Sequence, residues 1–506
     1  MSKRSAVVPF TTLSLDGESQ VPLYRQLYEA LRQVILTGQL RAGFRLQSTR
    51  ELAAELGVSR NTVMNAFEQL LAEGYLEGQV GSGTYVSRAL PDDMLHARAD
   101  AAGVSRSRRK GRALSDRGKV ISGTLINASS AESNTRAFRL GTPALDAFPF
   151  DVWMKLTARH WRYPRRDLLG YGDSAGYAPL REAISEYLGA ARAVRCAPEQ
   201  VIITSGTQQA LDIAARLLLD AGDSVWIEDP GYLGARSAMV GAGARLIPVP
   251  VDDEGLDVAA GEKLCASARL VYVSPSQHFP LGVTMSLARR LSLLEWASRE
   301  GAWILEDDYD SEYRYSGRPL AALQGLDKEG RVIYLGTFSK MLFPSLRLGY
   351  MVVPLDLVEA FKNARAILSR FSPSIEQAVL TDFITEGHFA RHIRRMRALY
   401  QERQRCLIDA ARRELGDALK LEPNEAGMHL VGRLPCGVDD LVASREANRL
   451  GVEAPALSLY CIERKRRSGL LLGYAGYDER EIRKGIRLLA VALRSVGSVA
   501  CPGGNS

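Results

Sequence analysis

Cysteine and histidine are scarce in this 506-residue chain, with six of each. The cysteines (Cys196, Cys265, Cys406, Cys436, Cys461 and Cys501) stand far apart, with no CxxC pair and no clustered histidines. That pattern excludes a disulfide framework and a zinc site and leads us to expect a protein of the reducing cytoplasm. Long apolar runs are missing as well; none approaches the roughly 20 residues a membrane span requires, so no membrane partner is expected. The opening residues, MSKRSAVVPF, lack the apolar core and cleavage site of a secretory signal. There is no internal repeat and no low-complexity tract.

What is present is an apolar content of 46% with 24% charged residues, ample for globular cores, and a length that suits about three domains. The net charge of +7 is concentrated at the front, where residues 1–120 hold 17 Lys and Arg against 12 Asp and Glu. A polyanion is therefore expected to bind there. Leu23, Leu27, Leu31 and Val34 recur at the spacing of an amphipathic helix. Leu52, Ala53 and Leu56 form a second short stripe, Gly57 breaks it, and Val63, Phe67, Leu70 and Leu71 form a third. The stretch YLEGQVGSGTYV that follows reads as a hairpin. We thus expect a helix-turn-helix with a wing over 20–88, and a basic flexible linker, rich in Ser, Ala, Gly and Arg, over 89–135.

From about residue 136 to 500, strand-like runs (VIITS, SVWIED, LVYVSP, WILEDD, RVIYLG) alternate with helical ones, the mark of an α/β domain on a mostly parallel sheet. Beyond about Pro373 helices predominate, and a smaller subdomain is expected over about 375–500, closing with a strand at LLLGY and a last helix.

The segment LQSTRELAAELGVSRNTVMNAFEQLLAEGYLEGQVGSGTYVS resembles the winged helix-turn-helix of GntR-type bacterial regulators. Ser59 is placed to cap the third helix, with Arg60, Asn61 and Thr62 in its first turn, where such helices meet base edges and phosphates of a double-stranded DNA operator. The resemblance adds Arg50 as a phosphate or base contact and a wing tip at Gly81, Ser82 and Gly83, small enough for backbone amides to approach DNA. Gln47 stands where this family usually has proline.

The motifs between Tyr171 and Arg347 resemble fold-type-I aminotransferases, and with the front module attached the chain resembles the MocR/GabR regulators. By that resemblance, Lys340 in YLGTFSKMLFPSLRLGY forms the Schiff base with pyridoxal 5'-phosphate, while Arg347, Thr337 and Ser339 hold its phosphate. Asp307 in ILEDDYDSEY pairs with the pyridine nitrogen, in preference to Asp308, and Tyr309 bonds the ring hydroxyl. Gly206, Thr207 and Gln208, opening a helix after VIITS, offer amides to the phosphate. Tyr232 of EDPGY stacks on the ring, and Tyr171 reaches the phosphate of a partner subunit, which implies a homodimer.

Two departures bear on the ligand. Gln277 and His278 are exchanged relative to the family's usual order, and which of them faces the ring stays open. Leu471 occupies the place of the arginine that binds the substrate carboxylate in α-amino-acid aminotransferases, with Arg236 an alternative anchor. The resemblance therefore implies a regulator that captures an amine or amino-acid effector as an external aldimine. A sensor of pyridoxal phosphate itself and a DNA-binding protein with real aminotransferase activity remain the other readings.

Overall fold

A computed structural model describes residues 15–17, 19–79, 83–88, 113–124, 137–316, 320–463 and 468–497. The chain divides into two compact units, Met1–Ala113 and Leu114–Ser506.

In the first unit, helices α1 (Leu23–Leu36), α2 (Thr49–Leu56) and α3 (Arg60–Ala72) precede two antiparallel strands, β1 (Leu76–Gln79) and β2 (Gly83–Val86). Leu27, Leu31, Leu52, Val63, Phe67 and Leu70 meet in one core, so the three stripes read from the sequence face each other. The turn between α2 and α3 is held at both ends. Gly57 takes a left-handed φ of 64° to end α2, and the Ser59 hydroxyl accepts from the Thr62 amide at 3.1 Å to begin α3. Ser48 and Glu51 form a reciprocal capping box at the start of α2.

The second unit begins inside the expected linker, and there the reading needs correction. Helix α4 (Asp116–Ser122) is capped by Ser115, and Arg117 Nε donates to the Gly241 carbonyl at 2.9 Å. The residues 89–112 and 125–135 of that segment lie outside the described residues.

Among the described residues the main sheet has eight strands in the order β3-β10-β9-β8-β7-β4-β5-β6. In chain order these are β3 (Val201–Thr204), β4 (Ser224–Asp229), β5 (Arg245–Asp252), β6 (Gly255–Leu256), β7 (Leu270–Val273), β8 (Trp303–Asp308), β9 (Val332–Thr337) and β10 (Gly349–Val352). The run β9-β8-β7-β4-β5 is parallel, and β10 lies antiparallel between β3 and β9. Successive side chains point to opposite faces. Leu270 and Tyr272 pack with α5 (Thr207–Leu218) and α6 (Leu233–Ala242), while Val271 and Val273 pack with Trp226 and Trp296 on the other side. A smaller antiparallel sheet, β11 (Lys420–Leu421), β12 (His429–Arg433) and β13 (Gly469–Gly473), lies with the helices His388–Glu414 and Glu479–Gly497 in the C-terminal part. This is the mixed α/β fold expected. It brings the carboxyl ends of β3, β4, β8 and β9 together, where open parallel sheets bind ligands.

Candidate cofactor and DNA-binding sites

Strand β8 carries three carboxylates in a row at its end, and their partners differ. Glu306 accepts from the amides of Leu323 and Gln324 at 2.7 and 2.8 Å. Asp308 accepts from Arg192 Nε at 2.8 Å and from the Tyr334 hydroxyl at 2.6 Å, so it belongs to a buried ion pair. Asp307 accepts only the Tyr272 hydroxyl, at 2.8 Å on Oδ2, and its buried Oδ1 has no hydrogen-bond partner among the described residues. Burial pushes the Asp307 carboxyl up to about 7 against the pull of Tyr272 and Lys340.

Lys340 follows β9 and donates from Nζ to the Gly141 carbonyl at 3.0 Å. Burial lowers its pKa, while Asp310 and Asp307 work in the opposite direction. Gly141 was not signalled by any sequence motif. Its φ of 65° favours glycine, and a Cβ at this position would displace the Lys340 amine.

Around this lysine, further buried atoms lack partners among the described residues: the Tyr309 hydroxyl, Ser339 Oγ and Gln208 Oε1. Gln208 Nε2 is fixed by the Gly234 carbonyl at 3.0 Å, and Thr337 Oγ1 accepts from the Ser339 amide at 3.2 Å. Such orphans are rare in folded proteins because each costs about 1–3 kcal/mol, so a cluster of them points to a polar occupant.

The opposite charge is also prepared. Gly206, with φ 117°, is the cap of α5, and Thr207 and Gln208 open that helix. The Arg347 guanidinium lies across Gly206, its nitrogens 3.7 Å from where a Cβ would stand. A guanidinium over the positive end of a helix is unfavourable unless an anion lies between them. Of the residues named from the sequence, Arg347 thus lies against Gly206, with Thr207 and Gln208 next in the first turn of α5, and Ser339 is bonded to Thr337 at the end of β9.

Tyr232 caps α6 and sets its ring edge-on to Phe279, with centroids 6.0 Å apart; burial raises its hydroxyl to about 12, so it stays neutral. Phe279 in turn meets Tyr309. Tyr171 is 88% exposed and its ring meets Phe371 edge-on, beside a cavity of about 380 Å³ also lined by Arg347, Ser205, Ser345 and Trp153. Of the exchanged pair, Gln277 donates to the Ala426 carbonyl at 3.3 Å, and His278 accepts from the Leu281 amide at 3.3 Å. The other nitrogen of His278 is 3.7 Å from Glu228. Both residues are buried. Leu471 is buried among Leu233, Leu457 and Tyr460, and Arg236 is half-buried on α6.

In the first unit Arg50, Arg60 and Asn61 are exposed, whereas Thr62 is half-buried and bonded to Ser59 at 2.9 Å between hydroxyls. Arg60 Nε lies 3.5 Å from Thr49 Oγ1. Gly83 has a φ of 119°; Gly81 and Ser82 lie outside the described residues. Arg45, overlooked in the sequence, lies against Gly83, its Nε 3.0 Å from where a Cβ would stand. It is an exposed cation at the base of the wing, carried there by its bridge to Tyr85.

Among the described residues no helix is long and apolar enough to cross a membrane, and no cluster of metal-binding side chains occurs.

Residues 23–86 match the family of bacterial regulatory proteins of the gntR type, and residues 137–463 match aminotransferase class I and II. The chain is 47% identical to the probable rhizopine catabolism regulatory protein MocR of Rhizobium meliloti, covering 96% of this chain and 97% of that one. It is 33% identical to the HTH-type transcriptional regulator TauR of Rhodobacter capsulatus, over 96% and 100% of the two chains. Of solved structures, the α-aminoadipate aminotransferase LysN of Thermus thermophilus, complexed with N-(5'-phosphopyridoxyl)-L-leucine, aligns with a TM-score of 0.70 and 30% identity, over 76% of this chain and 98% of that one. The winged helix-turn-helix, the aminotransferase fold behind it and the full-length similarity to MocR place the chain in the MocR family of DNA-binding transcriptional regulators.

Proposed function

We propose that this regulator holds pyridoxal 5'-phosphate at Lys340 and changes its hold on DNA when a primary amine displaces that lysine. The observation that carries this reading is the unpartnered, buried Oδ1 of Asp307, found together with the orphaned groups of Tyr309, Ser339 and Gln208. When bound, the cofactor supplies an aldehyde that condenses reversibly with amines.

The chain's own residues do the rest. Asp307, kept in place by Tyr272, would accept a hydrogen bond from the protonated ring nitrogen, and pairing with that cation would bring its raised pKa back down. Tyr309 donates to the ring hydroxyl, and Tyr232 and Phe279 wall the ring. Arg347, Ser339, Thr337 and the free amides at Gly206, Thr207 and Gln208 hold the phosphate. Lys340, its pKa lowered by burial, is the amine that would hold the cofactor aldehyde. Tyr171 completes the phosphate site of a second copy, so the working form is a homodimer with two winged modules. Arg60 and Asn61 read base edges in the operator, with Arg50, Arg45 and the wing on phosphates.

Purified protein should be yellow, borohydride should fix the chromophore to the peptide containing Lys340, and a responding amine should change both the absorbance and operator affinity. A colourless protein that binds its operator with full response to amines would overturn the reading.

A further inference from the structure

The carbonyl that receives the Lys340 amine belongs to residues 137–141, which follow directly on the segment joining the two units in the chain. The end of the lysine lies along Gly141: a Cβ there would stand 2.2 Å from Nζ and 3.0 Å from Cε. Nothing assigned to the cofactor uses this stretch of backbone.

Residues 137–141 are fastened to the C-terminal part of the unit by three hydrogen bonds. The Glu453 amide donates to the Ala137 carbonyl at 2.9 Å, the Gly473 amide to the Phe138 carbonyl at 2.9 Å, and the Arg139 amide to the Tyr477 hydroxyl at 3.0 Å. Between these bonds Phe138 is fully buried, edge-on to the Tyr477 ring, with a φ of 69°. A bulky residue rarely adopts that left-handed conformation, and it persists only where the surroundings over-determine it. The strained stretch is therefore held at one end by Glu453, Gly473 and Tyr477 and at the other by Lys340 through Gly141.

A free amine has hydrogens to donate to Gly141. When the same nitrogen joins an aldehyde, it trades two hydrogens for a double bond to carbon as water leaves. The aldehyde carbon and the Gly141 carbonyl thus compete for one nitrogen. Resting on the cofactor reading above, we propose that residues 137–141 register the state of Lys340, held by the lysine when its amine is free and released when the amine is joined to the cofactor. A primary amine that takes over the aldehyde carbon returns two hydrogens to the lysine nitrogen, and with them the bond to Gly141. Loss of that bond removes one of the restraints on Phe138, so the change reaches the end of the joining segment through the backbone itself.

Two vitamers separate the joined from the free lysine on the same protein. Pyridoxal 5'-phosphate brings an aldehyde, whereas pyridoxamine 5'-phosphate carries an amine in its place and leaves Lys340 free. Full-length protein saturated with each is compared by hydrogen–deuterium exchange and mass spectrometry. Both should slow exchange around Gly206 and Tyr309. Peptides covering Arg139, Glu453 and Gly473 should exchange roughly threefold to tenfold faster with the aldehyde than with the amine, as the loss of one hydrogen bond predicts. Lys340→Ala has no amine to donate and should exchange there at one rate with either vitamer. If pyridoxamine 5'-phosphate leaves Gly206 unprotected, the cofactor-free protein takes its place as the free-amine form, with the same expectation. Equal or slower exchange with the aldehyde, or a difference that survives in Lys340→Ala, overturns the proposal; the cofactor reading stands as long as borohydride fixes pyridoxal 5'-phosphate to Lys340. If borohydride fixes nothing there, the cofactor reading is overturned and this one with it.

Discussion

The Tyr272 hydroxyl donates to one oxygen of Asp307 at 2.8 Å, from a neighbouring parallel strand, and leaves the other oxygen bare. Next to it, Asp308 accepts from Arg192 and Tyr334, both on Oδ2, while its own Oδ1 is likewise without a partner among the described residues. Adjacent carboxylates thus carry opposite consequences when neutralised. Asp307→Asn should keep the fold without lowering its melting temperature but release the cofactor readily and displace its absorbance maximum. Asp308→Asn should strand the buried Arg192 guanidinium and lower stability by about 3–5 kcal/mol, seen as a fall in Tm with or without cofactor. Equal effects of the two substitutions on absorbance would remove the ring-nitrogen role from Asp307.

That distinction marks how far the sequence could be read. Lys340, Asp307, Tyr309, Arg347 and Gly206 are singled out by the sequence because each lies in a short motif at a strand end or helix start. Tyr272, Gly141 and Asp310 are not, because their roles depend on segments distant in sequence: Gly141 meets Lys340 from 199 residues away. Strands β3, β4, β7, β8 and β9, each a continuous apolar run, were recognised, whereas β10 was not. Strand β5 was missed; Pro248 and Pro250 interrupt its pattern, and it is tolerated near the sheet edge, paired with β4 on one side and only the two-residue β6 on the other. Helix α4 was hidden by the composition around it, since a polar stretch of seven residues acquires its structure from docking on Gly241 rather than from its own periodicity.

Cofactor-free protein should lose stability as pH rises. The Asp307 carboxyl, ordinarily at 3.8, is raised to about 7, chiefly by burial. A raised folded-state pKa means that the folded protein binds more protons than the unfolded chain between those two values. Stability is therefore greatest below 3.8 as far as this group is concerned, declines through that window and reaches its floor above pH 7. Glu306 and Glu312, also raised to about 7 by burial, act in the same direction. Tm of the cofactor-free protein should fall between about pH 5 and pH 8, and Asp307→Asn should fall less steeply. A slope identical in the variant would mean that Asp307 is ionised in the empty fold.

In the DNA-binding unit, Ser59 and Arg60 are neighbours with separable duties. The Ser59 hydroxyl caps α3 and Arg60 is exposed at its first position. Ser59→Ala should destabilise the unit by about 1 kcal/mol and weaken DNA binding only through that loss. Arg60→Ala should leave the melting curve and cofactor absorbance unchanged while lowering operator affinity by about 1–3 kcal/mol, roughly tenfold to a hundredfold in a mobility-shift titration. Retention of full affinity by Arg60→Ala would remove α3 as the reading helix.

Arg347 offers a substitution with effects of opposite sign on the empty and loaded protein. Its backbone has a left-handed φ of 51°, a conformation that costs a residue with a side chain about 1 kcal/mol and glycine almost nothing. Its guanidinium also crowds the positive end of α5, across Gly206. Arg347→Gly removes both penalties, so the cofactor-free variant should melt at the wild-type temperature or slightly above it. The same change removes charge-assisted hydrogen bonds to the phosphate, about 1.5–3 kcal/mol, and should weaken pyridoxal 5'-phosphate binding by roughly tenfold to a hundredfold. Calorimetry of both forms, with a cofactor titration followed by absorbance, reads the two effects separately. A variant that melts well below wild type when empty would show that Arg347 holds the fold rather than the phosphate.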